Sequence, residues 1–133
     1  MSQIGGAWIK GYQSRGLFTT PKHFGGHGAP LGGRDSHDIG LSEREMREVH
    51  LVPFRHVVRN YDCQSLMMAY SDYMGIPVAG STELLQQILR QEWGFNEYII
   101  SVELINTQIG SGAVSSLSSL DNTVFNACSV LFV

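Results

Sequence analysis

The chain has 133 residues, enough for a single domain, and its 43% hydrophobic and 16% charged residues exclude a disordered tail or a coiled coil. A net charge of −3 argues against a nucleic-acid partner, and no apolar run approaches the roughly 20 residues of a membrane span. Residues 1–5 show neither the basic nor the apolar region of a signal peptide.

The first predicted strand covers residues 17–20, which are apolar, aromatic or β-branched and end at Pro21. A glycine-rich loop follows, whose backbone can approach a ligand closely. A helix is predicted to begin at Ser42, because Glu45 completes a capping-box pattern, and Pro53 is expected to kink or restart it. The core-facing residues of this helix are predicted to be Met46, Val49, Pro53 and Val57.

The second predicted strand, residues 65–69, is nearly all apolar, as expected for a strand buried on both faces. Ser81 is expected to cap the next helix, and Gly94 to end it in a left-handed conformation. A third strand is predicted over residues 98–100. Strands and helices that alternate in this order predict an α/β fold with parallel strands, either a barrel or an open sheet.

Composition changes after residue 101. The nine Lys and Arg residues all lie between Lys10 and Arg90, whereas residues 102–133 are rich in serine and small or apolar residues. This tail shows neither helical nor strand periodicity. We therefore predict a domain over residues 1–101 and a separate tail over residues 102–133.

Polar residues follow the predicted strands, at the strand ends where parallel α/β folds bind ligands. Lys22 and His23 follow the first strand, and Tyr70 follows the second. Together they offer several hydrogen-bond donors, so the pattern favours a sugar or polyol ligand. The alternative, that these residues only close turns, stays open at this point.

Five blocks carry a more specific signal. They are KHFGGHG at 22–28, SEREMRE…LVPFR at 42–55, SLMMAY at 65–70, GIP at 75–77 and LLQQILRQEWGF at 84–95. In order and spacing they resemble the motifs of glycoside hydrolase family 3, the β-glucosidase and β-xylosidase family. The resemblance extends from about residue 5 to residue 101.

The resemblance implies that Lys22, His23 and Tyr70 bind the sugar in the −1 subsite. It also implies a partial (β/α)8 barrel of about three strands, because a whole barrel needs about 250 residues. The implied substrates are small β-glucosides or β-xylosides, cleaved through a covalent glycosyl-enzyme without a cofactor.

The resemblance ends at the position of the catalytic nucleophile. The family has Ile-Ser-Asp after this strand, whereas the chain continues Ile100, Ser101, Val102, Glu103. Valine cannot attack an anomeric carbon, and Glu103 would point to the opposite face of a strand. A retaining glycosidase needs two carboxylates, so we expect a fragment of a retaining β-glycosidase that is inactive by itself. The alternative is a non-catalytic sugar-binding or orphan fragment.

The abrupt end of the resemblance suggests that residues 102–133 are foreign sequence from a retained intron, a frameshift or a truncated gene model.

Trp93 is expected to pack in the core rather than to stack on a sugar. A small metal hydrolase is a less favoured function, since the glycine-rich loop would need a helix to bring His23 and His27 together, and we predict no metal site. The loop side chains considered as ligands are His23, His27, Asp35, His37 and Asp38.

Overall fold

The computed structural model describes residues 1–100 and the backbone of a strand at residues 128–132. Its helices are α1 (Ser2–Gln13), α2 (Glu43–Glu45), α3 (Val52–Asn60) and α4 (Glu83–Glu92), of which α4 has π-helical hydrogen bonding. Its strands are β1 (Phe18–Phe24), β2 (Ser65–Met68), β3 (Asp72–Tyr73), β4 (Ile76–Pro77), β5 (Tyr98–Ile100) and β6 (Cys128–Phe132). Short helical turns occupy Leu31–Gly33, Met46–His50 and Val78–Gly80.

The main sheet is parallel and has the strand order β5-β2-β1-β6. Within it, Lys22 of β1 pairs with Met67 of β2, and Met67 also pairs with Ile100 of β5. Strands β3 and β4 form a separate antiparallel hairpin. The predicted α/β fold with three parallel strands, here β1, β2 and β5, is confirmed.

The core lies between this sheet and the helices. Phe24 of β1 is fully buried, and two aromatic rings meet it edge-on. The ring of Phe54, on α3, has its centroid 5.6 Å away, and that of Trp93, at the end of α4, lies 5.9 Å away. Trp93 therefore packs in the core, as predicted.

Strand β1 is longer than the sequence predicted. Pro21 was expected to end it, because proline cannot donate to a strand ladder, but the strand runs through Pro21 to Phe24. The fixed φ of proline is compatible with extended backbone, so Pro21 costs one donor and does not break the strand. Pairing on both sides of Pro21, from Phe18 to Lys22, keeps β1 extended.

The start of the Ser42 helix is confirmed. The Ser42 Oγ accepts a hydrogen bond from the Glu45 backbone N–H (3.3 Å), and the Glu45 carboxylate accepts one from the Ser42 N–H (3.0 Å). Pro53 lies in the first turn of α3, where its missing N–H costs little, so the helix restarts there.

The predicted core position of Val49 is wrong. Val49 is 60% exposed, whereas Leu51 is buried. The backbone between α2 and α3 is a π-helix, in which the Leu51 N–H donates to the Met46 carbonyl (2.8 Å). This wider turn holds an extra residue, which rotates Val49 out of the apolar stripe and turns Leu51 into the core.

Both predicted ends of α4 are confirmed. The Ser81 Oγ accepts a hydrogen bond from the Leu84 backbone N–H (3.2 Å). Gly94 has φ +74°, and its N–H donates to the Arg90 carbonyl (3.1 Å), which closes the last turn.

Helix α1 was not predicted, because three glycines lower the intrinsic helix propensity of its sequence. Its contacts with α3 compensate for this. Ile9 is fully buried, and a Cβ on Gly6 would collide with the Tyr61 ring, so this glycine allows close packing. Neither α1 nor any other helix within residues 1–100 combines the length and hydrophobicity needed to cross a bilayer.

The last residues of the tail form a strand, although the sequence there shows no strand periodicity. Strand β6 pairs in parallel with β1, from Phe18 opposite Cys128 to Lys22 opposite Phe132. The alternation of polar and apolar residues in β6 is too short to be recognised in the sequence, so only the pairing with β1 defines this strand.

An ion pair joins the α2 region to α4. The Arg47 guanidinium donates to both oxygens of Glu92 (2.9 and 3.0 Å) and to Glu43 (2.9 Å), four residues earlier in the chain. The pKa of Glu92 is lowered below its ordinary 4.5, and the main cause is the hydrogen bonding from Arg47. The pair therefore stabilises the fold above about pH 4.5, and this contribution is lost as pH falls through the lowered pKa.

We expect Glu92→Gln to lower the free energy of unfolding at neutral pH by at most about 1 kcal/mol, because both partners are partly exposed. Urea unfolding at about pH 7 and about pH 3 measures it. The difference between wild type and variant should shrink at the lower pH. A difference in the free energy of unfolding that does not change with pH would contradict a stabilising Arg47–Glu92 pair. So would effects of Glu92→Gln and Arg47→Ala that simply add in the double variant.

Candidate functional site

The residues predicted to bind a ligand lie at one edge of the main sheet. Lys22 and His23 belong to the carboxyl-terminal part of β1, and Tyr70 follows β2 by two residues. The two strands are parallel neighbours, and the Ala69 N–H donates to the Phe24 carbonyl (2.8 Å) at this edge. The register shifts between Lys22 and Phe24, which marks a local irregularity at the end of the strand.

The glycine-rich loop covers the region after β1. Gly25 and Gly26 have φ of +100° and +85°, values that residues other than glycine rarely adopt. The loop is attached to the rest of the fold at Ile39, whose N–H donates to the Asp72 carbonyl (2.8 Å). Because this bond joins the loop to the hairpin after Tyr70, the elements that follow β1 and β2 form one connected surface.

We expect Gly25→Ala to destabilise this loop by about 1–3 kcal/mol, because a Cβ there would adopt a strained φ and meet Val78 at 2.6 Å. Gly28→Ala is the matched control, since a Cβ at position 28 contacts nothing within 4 Å. Urea unfolding of the two variants measures the difference. Equal stability of the two would show that the loop accommodates a side chain at position 25.

Two histidine rings at this edge lie close together, with their planes tilted by 45°. The ring centroids of His23 and His27 are 4.3 Å apart, and the Nδ1 of His27 lies 3.6 Å from the carboxylate of Asp35. Burial lowers the pKa of His23 below its ordinary 6.5, and the neighbouring His27 and Lys22 lower it further, against a smaller opposing effect of Asp35. His23 is therefore neutral at pH 7 and offers one donor and one acceptor.

This pKa shift predicts a loss of stability in mild acid. As pH falls below 6.5, the unfolded chain takes up a proton at His23 that the folded chain does not, so unfolding becomes more favourable. Urea unfolding between about pH 7.5 and about pH 5.5 measures the loss, which should be smaller in His23→Gln. An NMR titration of the His23 ring with a midpoint above 6.5 would contradict the prediction.

The structure brings His23 and His27 together without the helix that the sequence analysis required, and it places Asp35 beside His27. His27 faces Asp35, whereas the Asp38 carboxylate accepts a hydrogen bond from the Ile39 backbone N–H (3.1 Å) and so closes a local turn. In residues 1–100, no three His, Cys, Asp or Glu side chains converge on a point where they would hold a metal ion. The metal-hydrolase hypothesis therefore has no ligand set in this part of the chain.

The hairpin β3–β4 was missed by the sequence analysis. Met74 and Gly75 both have positive φ (+54° and +74°), the pattern of a tight type I′ turn. The pair Met-Gly is a weak signal, since such turns favour Asn-Gly or Asp-Gly. The hairpin places the buried Tyr73 beneath the glycine-rich loop, where its backbone forms a bridge with Ile39.

The position at which the sequence analysis expects the nucleophile to be lost is not part of this geometry. Ser101, Val102 and Glu103 lie outside the described residues, as do residues 104–127 of the tail.

Comparison with known proteins identifies the family of the chain. The model named "Glycosyl hydrolase family 3 N terminal domain" matches residues 1–121, a range that extends past residue 101. A beta-xylosidase of Formosa agariphila is 36% identical over 109 residues, which are 76% of this chain and 15% of that protein. A probable beta-glucosidase K of Emericella nidulans is 36% identical over 99 residues, 74% of this chain and 12% of its own length.

The fold agrees with a solved member of the same group. The structure of beta-glucosidase 3B from Thermotoga neapolitana superposes with a TM-score of 0.69 at 32% identity, over 76% of this chain and 14% of that one. The chain thus spans only about one seventh of the length of these relatives.

Proposed function

The chain belongs to glycoside hydrolase family 3, and from this premise we propose that it is a segment of a β-glycosidase barrel that retains part of the sugar-binding site. The parallel order of β1, β2 and β5 supports the barrel, because consecutive strands of such a barrel are neighbours in the sheet. The placement of Lys22, His23 and Tyr70 at one edge supports the site and is the observation on which the proposal depends.

Each of the three side chains has a defined role in the proposal. The ammonium of Lys22 donates charge-assisted hydrogen bonds to sugar hydroxyls. Neutral His23 donates one hydrogen bond and accepts another, a combination that suits hydroxyl groups. The phenol of Tyr70 adds a further donor or acceptor from the neighbouring strand. The glycine-rich loop brings backbone close to the same sugar.

The proposed substrate class is a small β-glucoside or β-xyloside, as the names of the relatives suggest. In the complete enzyme, the reaction would form and hydrolyse a covalent glycosyl-enzyme with two carboxylates about 5–5.5 Å apart. In this sequence Val102 stands where the family places the attacking carboxylate. We therefore propose that the 133-residue chain binds sugar weakly and does not hydrolyse it.

We retain the boundary at residue 101 as part of this proposal, with residues 102–133 as sequence foreign to the enzyme. The support is the loss of the family motif at Val102 and the change in composition there. Sequencing the transcript tests it. A spliced message that continues Ser101-Asp would support the proposal, and uninterrupted coding through Val133 would overturn it.

NMR titration of the labelled chain with methyl β-D-glucopyranoside tests the binding site. We expect shifts in the amide signals of residues 22–28 and 69–71, with sorbitol as a non-cyclic control that causes much smaller shifts. No shifts, or shifts scattered over the surface, would overturn the proposal.

A turnover assay separates the proposal from full enzymatic activity. With an aryl β-glucoside we expect no release of the phenol above the uncatalysed rate. Turnover that is well above background and is lost in Lys22→Ala would show that the chain is a complete catalyst. The alternative function, an orphan fragment, predicts neither turnover nor specific shifts in the titration.

A further inference from the structure

The second histidine of the KHFGGHG block, His27, has no part in the proposed sugar site, although its ring lies against that of His23. We propose that His27, paired with Asp35, is a positioning residue that holds the His23 ring in place for the sugar. This role rests on the proposed function, because His23 is one of the three proposed sugar-binding side chains. The contacts that carry it all lie within residues 23–46.

The backbone of the glycine-rich loop returns His27 to the end of β1. Gly25 and Gly26 reverse the chain through their positive φ values, and the Ala29 N–H then donates to the Gly26 carbonyl (3.0 Å). This hydrogen bond closes a four-residue turn in which His27 is the second residue. Backbone geometry therefore holds His27 close to His23, four positions earlier in the chain.

The turn is anchored on the core immediately before His27. A Cβ on Gly26 would lie 2.8 Å from the Cε of Met46 and 3.2 Å from the Cδ1 of Ile39, so the backbone rests directly on these two side chains. Met46 and Ile39 are both buried. Because closely packed groups have little room to move, the loop presents His27 from a fixed base.

The contact between the two imidazole rings restricts His23. At a centroid distance of 4.3 Å, the His27 ring occupies the space on one side of the His23 ring. His23 is only partly buried at the end of β1, so without this neighbour its side chain would have other staggered rotamers open to it. Ordering a side chain on binding costs affinity, and a neighbour that orders it beforehand reduces that cost.

Asp35 sets the orientation of the His27 ring. Its carboxylate lies 3.6 Å from the Nδ1 of His27. Within the described part of the chain this nitrogen is shielded from solvent and has no hydrogen-bond partner, so Asp35 is the group that it faces. A carboxylate opposite Nδ1 favours the tautomer that carries the proton there. The Asp35 side chain is 71% exposed, so the pair adds little stability and acts on the orientation of the ring.

The same arrangement bears on the charge of His23. Burial is the main cause that lowers the pKa of His23, and His27 and Lys22 lower it further. Asp35 opposes them, and Tyr70 follows the neighbouring strand β2. Loss of the His27 ring would therefore raise the pKa of His23 toward its ordinary 6.5. Protonated His23 has no acceptor left for a sugar hydroxyl, so His27 also protects the acceptor.

His27→Gln tests the role, because glutamine keeps a polar side chain and removes the ring. We expect the dissociation constant for methyl β-D-glucopyranoside, from NMR titration, to rise about 3- to 10-fold, the cost of ordering one side chain. The midpoint of the His23 ring in an NMR pH titration should move upward. His37→Gln makes the same change at an exposed position of the same loop and should alter neither quantity.

The two measurements separate this role from a general loosening of the loop. If the wild type binds the sugar and either quantity is unchanged in His27→Gln, the positioning role is overturned and the proposed sugar site stands. A wild type that binds no sugar would instead overturn the proposed function, and the role of His27 with it.

Asp35→Ala keeps the inference testable if His27→Gln fails to fold, since Asp35 is exposed. The nitrogen chemical shifts of the histidine rings show which nitrogen carries the proton. We expect the proton of neutral His27 on Nδ1 in the wild type and a shift of population toward Nε2 in Asp35→Ala, with the His56 ring on α3 unchanged as the control. A wild-type His27 protonated on Nε2, or the same distribution in both proteins, would overturn the pairing with Asp35.

Discussion

Phe24→Ala is expected to lower the free energy of unfolding by about 3–5 kcal/mol, enough to unfold a marginally stable chain. Phe24 is fully buried, and the rings of Phe54 and Trp93 both meet it edge-on. Removing it would leave a cavity between β1, α3 and α4 and would delete two aromatic contacts. Urea unfolding followed by the fluorescence of Trp93 and Trp8 measures the loss.

Phe18→Ala is the matched control for this substitution, since it makes the same chemical change on the same strand. Phe18 is 39% exposed and lies at the opposite end of β1, so its loss should cost at most about 1 kcal/mol. A similar cost for the two substitutions would mean that the core is not centred on Phe24.

Lys22→Met is expected to weaken binding of methyl β-D-glucopyranoside by about 10- to 100-fold, the loss expected when a charged hydrogen-bond donor is removed. Methionine keeps most of the aliphatic side chain and removes only the ammonium. The dissociation constant from NMR titration measures the effect, and urea unfolding of the same variant shows whether the fold is retained.

Lys10→Met is the control for the loss of a lysine charge, since Lys10 is exposed on α1 and is not part of β1. It should leave sugar affinity unchanged. If both variants bind as the wild type does, Lys22 does not contact the sugar. If both weaken binding equally, the effect arises from net charge and not from the proposed site.

Sequence patterns were enough to predict the alternation of strands and helices, the caps at Ser42, Ser81 and Gly94, and the family, because these depend on residues close together in the chain. Hydroxyl caps and glycines with positive φ act over only a few residues. The positions of Lys22, His23 and Tyr70 at strand ends are local in the same sense. Their shared edge was predictable as soon as the strands were taken as parallel.

Features that depend on distant partners became visible only in the folded chain. Helix α1 forms despite its glycines because Tyr61 packs on Gly6, and β6 exists because β1 offers an edge to pair with. Val49 is exposed because a π-helical turn, stabilised by the packing of Leu51, changes the phase of the helix. Such contacts join residues far apart in sequence, so neither propensity nor periodicity can detect them.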